Sequence, residues 1–323
     1  MAKESISPSS TVAATGPYSD MTFQVPKARM GGLLSKEWFL FLLFIFPNFL
    51  FLAVFTYWPL FENFRLSLFS TNQFLGTSEY TGLGNYEWLF GNRDFRQVAL
   101  NTFIFIIATV AGTLGIGLAV ALLLNEKLKG RTAVRALVFA PYLISGAAIG
   151  LVWAYIFNPR YGLLSTMLEW FGIPSPNWLD SSSWALPAII IVYVWKNLGF
   201  AAVVFLAGLQ GIPKDLYEAA KLDGASAWWR FRSVTLPMLS PISFFLMVTS
   251  VLSTFQAFDI QDIMTGGGPA GATTTLVYYV YEQAFQAQNH ERAAAAAVIL
   301  FILMLVVTIG QTFWERRQVH YGG

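Results

Sequence analysis

The sequence has no cysteine and only two histidines, and charged residues make up 12% of its 323 residues. Without cysteine, the chain can form no disulfide, no thiolate metal site and no thiol nucleophile. The two histidines, His290 and His320, are far apart and do not form a metal-binding pair such as HExxH. The formal net charge is only +2, and no dense run of lysine and arginine is present. These properties argue against a metal site and against a nucleic-acid partner.

The phosphate-binding loop GxxxxGK[ST] of P-loop ATPases is also absent from the sequence. The chain is therefore predicted to bind no nucleotide cofactor itself, and a partner must hydrolyse any ATP that drives it. No serine or histidine has a catalytic partner at a suitable spacing. We therefore predict that the chain is not an enzyme, and a membrane-embedded enzyme is the weakest of the functional classes considered.

Apolar residues, by contrast, are abundant: 55% of the chain is hydrophobic and the mean hydropathy is +0.54. Several apolar runs approach the roughly 20 residues that a helix needs to cross a bilayer. Pro47 and Pro141 fall inside the first and third of these runs, where we expect kinks. The sequence predicts an all-α polytopic membrane protein with six transmembrane helices at about 37–60, 98–124, 134–157, 185–209, 236–258 and 293–314.

The ends of the chain differ from its apolar centre. Residues 1–33 are rich in serine, threonine, proline and glycine, which predicts a disordered N-terminal tail rather than a secretory signal. Residues 34–318 then form the transmembrane domain, and 319–323 form a short C-terminal tail. We expect both tails to be cytoplasmic.

The distribution of basic residues supports this orientation. Most of the 20 lysine and arginine residues lie in the segments that are then cytoplasmic, as the positive-inside rule requires. The outer segments hold only five arginines: Arg65, Arg93, Arg96, Arg160 and Arg292. The same orientation places residues 212–237, between the fourth and fifth spans, in the cytoplasm.

Residues 212–237 have the pattern of two short helices joined at a glycine. Pro213 suits the first turn of a helix, Gly224 suits a left-handed helix end, and Ser226 suits the N-cap of a second helix. Spacing of i, i+3, i+4 and i+7 gives the first helix one narrow face, formed by Leu216, Ala219, Ala220 and Asp223. Such a face favours close approach by another protein, although an ordinary amphipathic loop helix is the simpler alternative.

The stretch LYEAAKLDGASAWWRFRSVTLP at 216–237 closely resembles the EAA loop of ABC-importer permeases. The one departure is mild, because Val234 stands where that loop has isoleucine. The resemblance implies a loop that docks in a cleft of an ATP-hydrolysing subunit and transmits its motion to the membrane domain. The residues implied in this coupling are Glu218, Ala219, Ala220, Asp223, Gly224, Leu236 and Pro237.

The resemblance extends over about residues 40–320. It includes LGNY at 83–86, APYLISG at 140–146, WAYIFNPRYGLL at 153–164 and VWKN at 194–197. The chain is thereby identified as a member of the carbohydrate and glycerol-3-phosphate permeases, with a type I ABC-importer fold in a bacterial cytoplasmic membrane. The resemblance implies a second homologous permease, a dimer of ATPase subunits that hold ATP and magnesium, and an external substrate-binding protein.

Polar residues within the predicted spans are candidates for a substrate pathway. Lys196, beside Asn197, is a basic residue near the middle of the fourth span, where a charge is costly unless it has a pathway or pairing role. On the fifth span, Thr249, Ser253 and Gln256 follow i, i+4, i+7 spacing and suit hydrogen bonds to a polyol, with Phe255 as a possible stacking partner. Interhelical packing is the alternative, particularly for Ser250, because such residues often join membrane helices.

The fifth span is followed by a glycine-rich stretch that cannot continue as a helix. Gly266, Gly267, Gly268 and Pro269 require a turn there. An isolated glycine run predicts a flexible loop, but this one continues into ATTTLVYYVYEQAF at 272–285 and resembles the outer gate region of carbohydrate-importer permeases.

Substrate and energy source are predicted as follows. PISFFLMV at 241–248 and the run at 272–285 resemble most the permeases that import glycerol-3-phosphate, so this substrate or a glycerophosphodiester is expected, with a neutral sugar of the maltose or trehalose type as the alternative. An ion-coupled secondary transporter is the competing class. It would need carboxylates near the centre of a span, and the predicted spans have none there.

Overall fold

The computed structural model describes residues 36–72, 77–126 and 129–318. The predicted tails at 1–33 and 319–323 lie outside these ranges. The chain divides into two compact units, Met1–Tyr57 and Trp58–Gly323. In the first unit, helix α1 (Lys36–Leu52) contains Pro47 and continues into a π-helical turn at Ala53–Tyr57. Nearly all of the described side chains of this unit are exposed apolar groups, as expected for a helix that faces lipid.

The second unit is mainly helical. Its helices are α2 (Trp58–Ser67), α3 (Gly84–Gly91), α4 (Arg93–Asn125), α5 (Arg131–Leu143), α6 (Gly146–Ile156), α7 (Leu163–Trp170), α8 (Ala185–Gly211), α9 (Lys214–Leu222), α10 (Ala227–Arg230), α11 (Leu236–Met238), α12 (Ser240–Phe255), α13 (Asp259–Thr265), α14 (Leu276–Tyr281) and α15 (His290–Gln318). Two further π-helical turns, Phe231–Thr235 and Glu282–Gln286, follow α10 and α14.

A short antiparallel hairpin, which the sequence reasoning did not predict, follows α2. Its strands are β1 (Phe69–Asn72) and β2 (Thr77–Tyr80), with Phe69 opposite Tyr80. The LGNY motif holds it in place: the Asn85 amide donates to the carbonyl oxygens of Ser67 at 2.9 Å and of Phe69 at 2.8 Å. This asparagine therefore has a structural role.

Helices α4 and α8 form the centre of the second unit. They approach closely because small residues meet at their crossing, where a Cβ atom on Gly117 would lie 2.8 Å from that of Ala201. Apolar side chains from both helices, including Phe105, Ile189 and Phe205, are almost fully buried around this contact. The pair therefore provides a rigid framework for the polar groups described below.

Within the described ranges, four helices are long and apolar enough to cross a membrane: Trp38–Ser67, Arg93–Asn125, Ala185–Gly211 and His290–Phe313. The total becomes six if each of two bent helix pairs is one span, because α5 and α6 meet at 103° and Ala227–Met238 meets α12 at 64°. The mainly helical architecture is thus as predicted, whereas the number of spans depends on how the bent pairs are counted.

The third predicted span, 134–157, is broken rather than only kinked at Pro141. Ile144 and Ser145 are both extended, with ψ angles of 143° and 144°. Proline offers no N–H to the preceding turn, and the Ser145 hydroxyl accepts the Ala148 N–H and caps α6. Two local signals therefore act within five residues, and together they end one helix and start another.

Candidate functional site

The helical pair in the loop at 212–237 has the form that the sequence predicts. Helix α9 ends in a left-handed turn, because Gly224 has a φ of +77°. The Ala225 N–H donates to the Ala220 oxygen at 2.9 Å, and the Gly224 N–H donates to the Lys221 oxygen at 3.0 Å. These two bonds form a Schellman motif, which satisfies the last carbonyl groups of the helix.

Side-chain contacts fix the second helix of the loop against the first. The Ser226 hydroxyl accepts the Trp229 N–H at 3.2 Å, as expected for an N-cap. The Tyr217 hydroxyl lies 3.0 Å from that of Thr235, which is buried beyond α10. The Tyr217–Thr235 contact therefore joins α9 to the segment that follows α10.

The coupling residues predicted from the EAA resemblance lie mostly on the surface. Ala220 is buried at 6% exposure, whereas its neighbour Ala219 is exposed. The two alanines of the predicted narrow face therefore do not share one environment. Leu216 beside Ala220 is 41% exposed, and Leu222 at the helix end is 89% exposed. The remaining coupling residues are all exposed: Glu218, Ala219, Asp223, Gly224, Leu236 and Pro237. This surface is accessible to another protein.

A cavity of about 210 Å³ lies between α4, α5, α8 and α12. It brings together three of the predicted pathway residues, Asn197, Thr249 and Ser253. The other residues that line it are Thr109, Thr113, Tyr142, Phe200, Ser250 and Thr254. Ser250, for which packing was the favoured alternative, is therefore part of the lining.

The other three predicted pathway residues lie elsewhere. The Lys196 ammonium donates to the backbone carbonyl of Tyr142 at 3.3 Å and lies 5.6 Å from the centre of the Tyr142 ring. Phe255 is buried at 3% exposure in an apolar cluster with Ile106 and Val251, which rules out stacking on a substrate in this arrangement. Gln256 is exposed just beyond the end of α12.

Most of the polar groups around the cavity already donate to their own helices. The hydroxyls of Thr249, Ser253 and Thr254 donate to carbonyl oxygens three or four residues earlier, at distances of 2.7–3.2 Å. The Asn197 amide donates to the Tyr193 oxygen at 2.8 Å. The α12 hydroxyls therefore offer the cavity mainly oxygen lone pairs.

A network of buried polar groups holds the glycine-rich loop. The Gln261 side chain, at 1% exposure, donates to the Thr273 oxygen at 2.6 Å and accepts from the Thr275 hydroxyl at 2.9 Å. From α4, the Asn101 amide donates to the oxygens of Gly271 and Thr274 at 2.9 and 3.1 Å. These contacts describe a well-fixed loop rather than a flexible one.

Gly267 shows why this loop requires glycine. Its φ is +80°, and a Cβ atom would lie 2.6 Å from Tyr278 and 2.8 Å from the Thr274 hydroxyl. Gly266, with a φ of +56°, ends α13 in the left-handed region. The predicted gate residues Gly266, Gly267, Gly268 and Pro269 thus form a tight turn against the threonine run.

A larger cavity, of about 510 Å³, lies beside the gate loop. Its lining includes Gly266, Gly267 and Gly268 together with two carboxylates, Asp94 and Glu282. Burial, and to a smaller extent the Asp94 charge, raises the pKa of Glu282 above its usual range. The region next to the gate is therefore polar and accessible, in contrast to the apolar clusters around α4 and α8.

Residues 111–320 match the family described as the binding-protein-dependent transport system inner membrane component. The chain belongs to this family. It is therefore an inner membrane permease of the ABC-importer class, and such permease subunits lack an ATPase site of their own. The matched range includes the predicted coupling loop at 212–237, the helices α8 and α12, and the predicted gate loop at 266–269. It therefore covers most of the geometry described above.

Curated relatives and solved structures agree with this assignment. The trehalose/maltose transport system permease protein MalF of Thermococcus litoralis is 38% identical over 230 residues, which cover 71% of this chain and 78% of that protein. The sn-glycerol-3-phosphate transport system permease protein UgpA of Yersinia pestis is 36% identical over 240 residues, covering 74% and 80%. The fold matches a chain of a bacterial ABC transporter for the acidic polysaccharide alginate with a TM-score of 0.77 at 24% identity, covering 88% of this chain and 98% of that one.

Among the cavity residues that the sequence reasoning missed are Thr109 and Thr113 on α4 of the permease. They lie within a long apolar span, where isolated threonines are ordinary packing residues. Their spacing of four residues places both on one face of the helix, and this was the available signal. The face of a helix indicates a function only when the helices packed against it are known. For this face of α4, those helices are α8 and α12.

Proposed function

We propose that this permease imports a neutral sugar or oligosaccharide. The observation that carries the proposal is the lining of the cavity of about 210 Å³, which consists of hydroxyl, amide and aromatic side chains and, within the described chain, includes no acidic or basic residue. A site for a sugar needs groups that match its hydroxyls and aromatic surface for its apolar faces. Tyr142 and Phe200 are the aromatic residues of the lining, and their rings stack on each other with 4.9 Å between their centres.

The hydrogen-bonding state of the lining also favours a neutral substrate over a phosphate. The hydroxyls of Thr249, Ser253 and Thr254 on α12 donate to backbone oxygens and present lone pairs to the cavity. Lone pairs accept hydrogen bonds from sugar hydroxyls but repel phosphate oxygens, which act as acceptors. Phosphate sites usually contain arginine, lysine or several free N–H groups instead.

Glycerol-3-phosphate is the second candidate substrate, and Lys196 is the observation that favours it. The Lys196 ammonium lies close to Tyr142, a lining residue, and a rotation of its flexible stem would bring it towards the cavity. The relatives include permeases named for both trehalose/maltose and sn-glycerol-3-phosphate, at 38% and 36% identity. The difference in identity is too small to separate the two substrates.

The substitution Lys196→Met tests the substrate class. If the substrate is neutral, we expect the KM for sugar uptake to change less than about threefold, because the ammonium contacts Tyr142 rather than the ligand. If the substrate is a phosphate, removing one ion pair should weaken uptake by at least about tenfold, or 1.4 kcal/mol. Uptake of maltose, trehalose and glycerol-3-phosphate into proteoliposomes measures the difference, with Lys196→Arg as the control that retains the charge.

The loop at 212–237 is the basis for the proposed partners and transport cycle. With both termini in the cytoplasm, the exposed Glu218–Ala219 edge and the Gly224 turn face a dimer of ATPase subunits that bind ATP and magnesium. A second homologous permease completes the pathway, and an external binding protein delivers the substrate near the gate loop. Closure of the ATPase dimer moves the helical pair as a unit and alternates access to the cavity.

The competing class, an ion-coupled transporter, predicts different behaviour. The test is to purify the chain from its own membranes in mild detergent, identify the proteins that accompany it and measure the energy source of uptake. We expect a co-purifying ATPase and a second permease, with uptake that requires ATP. A chain that purifies alone, and whose uptake stops with an ionophore but ignores ATP, contradicts the importer mechanism.

A further inference from the structure

Two threonines on α4 have hydroxyl groups that are buried but make no hydrogen bond within the described part of the chain. Thr109 and Thr113 are only 2% and 3% exposed, and their Oγ1 atoms have no partner there. The two residues are one helical turn apart, and both line the cavity of about 210 Å³. Buried polar groups nearly always have a partner, so two neighbouring exceptions in one cavity require an explanation.

The usual explanation for a threonine in a helix does not apply to this pair. Such residues normally donate to the carbonyl oxygen three or four residues earlier. Thr102, two turns before Thr109 on α4, follows this rule and donates to the Val98 oxygen at 2.7 Å. Thr249 and Thr254, across the cavity on α12, also follow it. Thr109 and Thr113 therefore retain hydrogen-bonding capacity that their neighbours have used.

We propose that Thr109 and Thr113 are specificity-determining residues that hydrogen-bond the hydroxyls of the transported sugar. This inference rests on the proposed neutral-sugar function of the cavity. A hydroxyl group both donates and accepts, and so does each free threonine hydroxyl, whereas the α12 wall offers mainly acceptors. The α4 wall thus supplies the donors that a sugar needs for its own oxygen atoms.

This arrangement has a consequence for selectivity. A site built to hydrogen-bond a substrate hydroxyl discriminates strongly against an analogue that lacks it, because its own polar groups are then left unpaired. Both Oγ1 atoms are buried in this arrangement, so each hydroxyl meets the sugar after a rotation about χ1. Discrimination between a sugar and its deoxy analogue should therefore depend on these two residues.

The test compares Thr109→Val and Thr113→Val with the wild type in the assembled transporter in proteoliposomes. Valine keeps the shape and removes the hydroxyl, so we expect the thermal stability to stay the same or rise. We expect the KM for uptake to increase at least about tenfold for the fastest substrate among maltose, trehalose and sucrose. ATP hydrolysis stimulated by the loaded binding protein should persist, because neither the coupling loop nor the gate is altered. Thr109→Ser and Thr113→Ser, which retain the hydroxyl, should restore the KM.

Thr102→Val is the matched control on the same helix. Its hydroxyl donates to the Val98 oxygen and accepts the Leu276 N–H at 2.9 Å, so its removal should lower the thermal stability. The inference is overturned if wild-type uptake is active but both valine variants keep the wild-type KM. It is also overturned if they lose stability as Thr102→Val does. A wild-type complex that transports none of the neutral sugars contradicts the proposed function instead, and this inference with it.

Discussion

Gly224→Ala should reduce both uptake and substrate-stimulated ATP hydrolysis by at least about tenfold in the assembled transporter. The residue ends α9 with a φ of +77°, and the left-handed region costs a residue with a Cβ atom about 1–2 kcal/mol. The Schellman motif depends on that conformation, so alanine shifts the α9 end relative to Ser226 and α10. The added Cβ would meet no atom of this chain within 4 Å, and its direction is therefore open to a partner subunit. Uptake and ATPase rates in proteoliposomes measure the loss.

Gly172→Ala is the matched control for this prediction. Gly172 also has a left-handed φ, of +70°, and a Cβ there would meet nothing within 4 Å. It follows α7, in a segment that the distribution of basic residues predicts to lie outside the membrane. Both substitutions should lower stability by a similar small amount, but only Gly224→Ala should reduce uptake and substrate-stimulated ATP hydrolysis. Equal effects of the two on ATPase stimulation would show that backbone strain, and not the position in the coupling loop, causes the loss.

The features predicted correctly from the sequence are those set by local rules. The left-handed end at Gly224 and the N-cap at Ser226 need only a few neighbouring residues to form, and both are present. The long apolar helices α4 and α8 follow in the same way from run length, because a bilayer requires about 20 apolar residues. The family motif then adds what local rules cannot give, namely the role of the loop.

The third span shows where local reasoning fell short. Pro141 alone predicts a kink, and kinked helices are common in membranes. The complete break at Ile144 and Ser145 also involves the α6 cap, and it brings Gly146 close to Asp259, whose carboxylate occupies the space that a Cβ on Gly146 would need. Asp259 is more than a hundred residues away in sequence, so no local pattern contains this contact.

The substrate pathway was predicted in part for a similar reason. Polar spacing on one helix identified Thr249 and Ser253, but it also selected Gln256, which is exposed beyond the end of α12. Phe255, chosen as an aromatic stacking partner, is buried against Ile106. Spacing gives the angle of a residue around its helix and leaves open which neighbour that angle faces. Thr109 and Thr113 could be recognised only from the structure, because their distinguishing feature is the lack of a hydrogen-bond partner within the described residues.

Gln261→Leu should release the gate loop and reduce uptake by at least about tenfold. The buried Gln261 amide makes two hydrogen bonds to the threonine run, with the Thr273 oxygen and the Thr275 hydroxyl. Leucine has a similar volume but leaves both groups without this partner, at a cost of about 1–3 kcal/mol each. The Asn101 bonds from α4 remain, so we expect the loop to loosen and the rest of the fold to persist. Hydrogen–deuterium exchange at residues 266–276 should rise at least about tenfold, because local opening becomes that much more frequent.

Gln210→Leu provides the comparison for this last substitution. Gln210 is also a glutamine, but it is exposed near the end of α8 and lies away from the gate. In this variant, hydrogen–deuterium exchange in the gate loop and the rate of uptake should therefore remain close to the wild type. If Gln261→Leu loosens the loop and uptake falls, a fixed gate conformation is needed for transport. Faster exchange with normal uptake would mean that the network only stabilises the fold. Unchanged exchange would contradict the role of Gln261 in the network, since the remaining Asn101 contacts would then be sufficient to hold the loop.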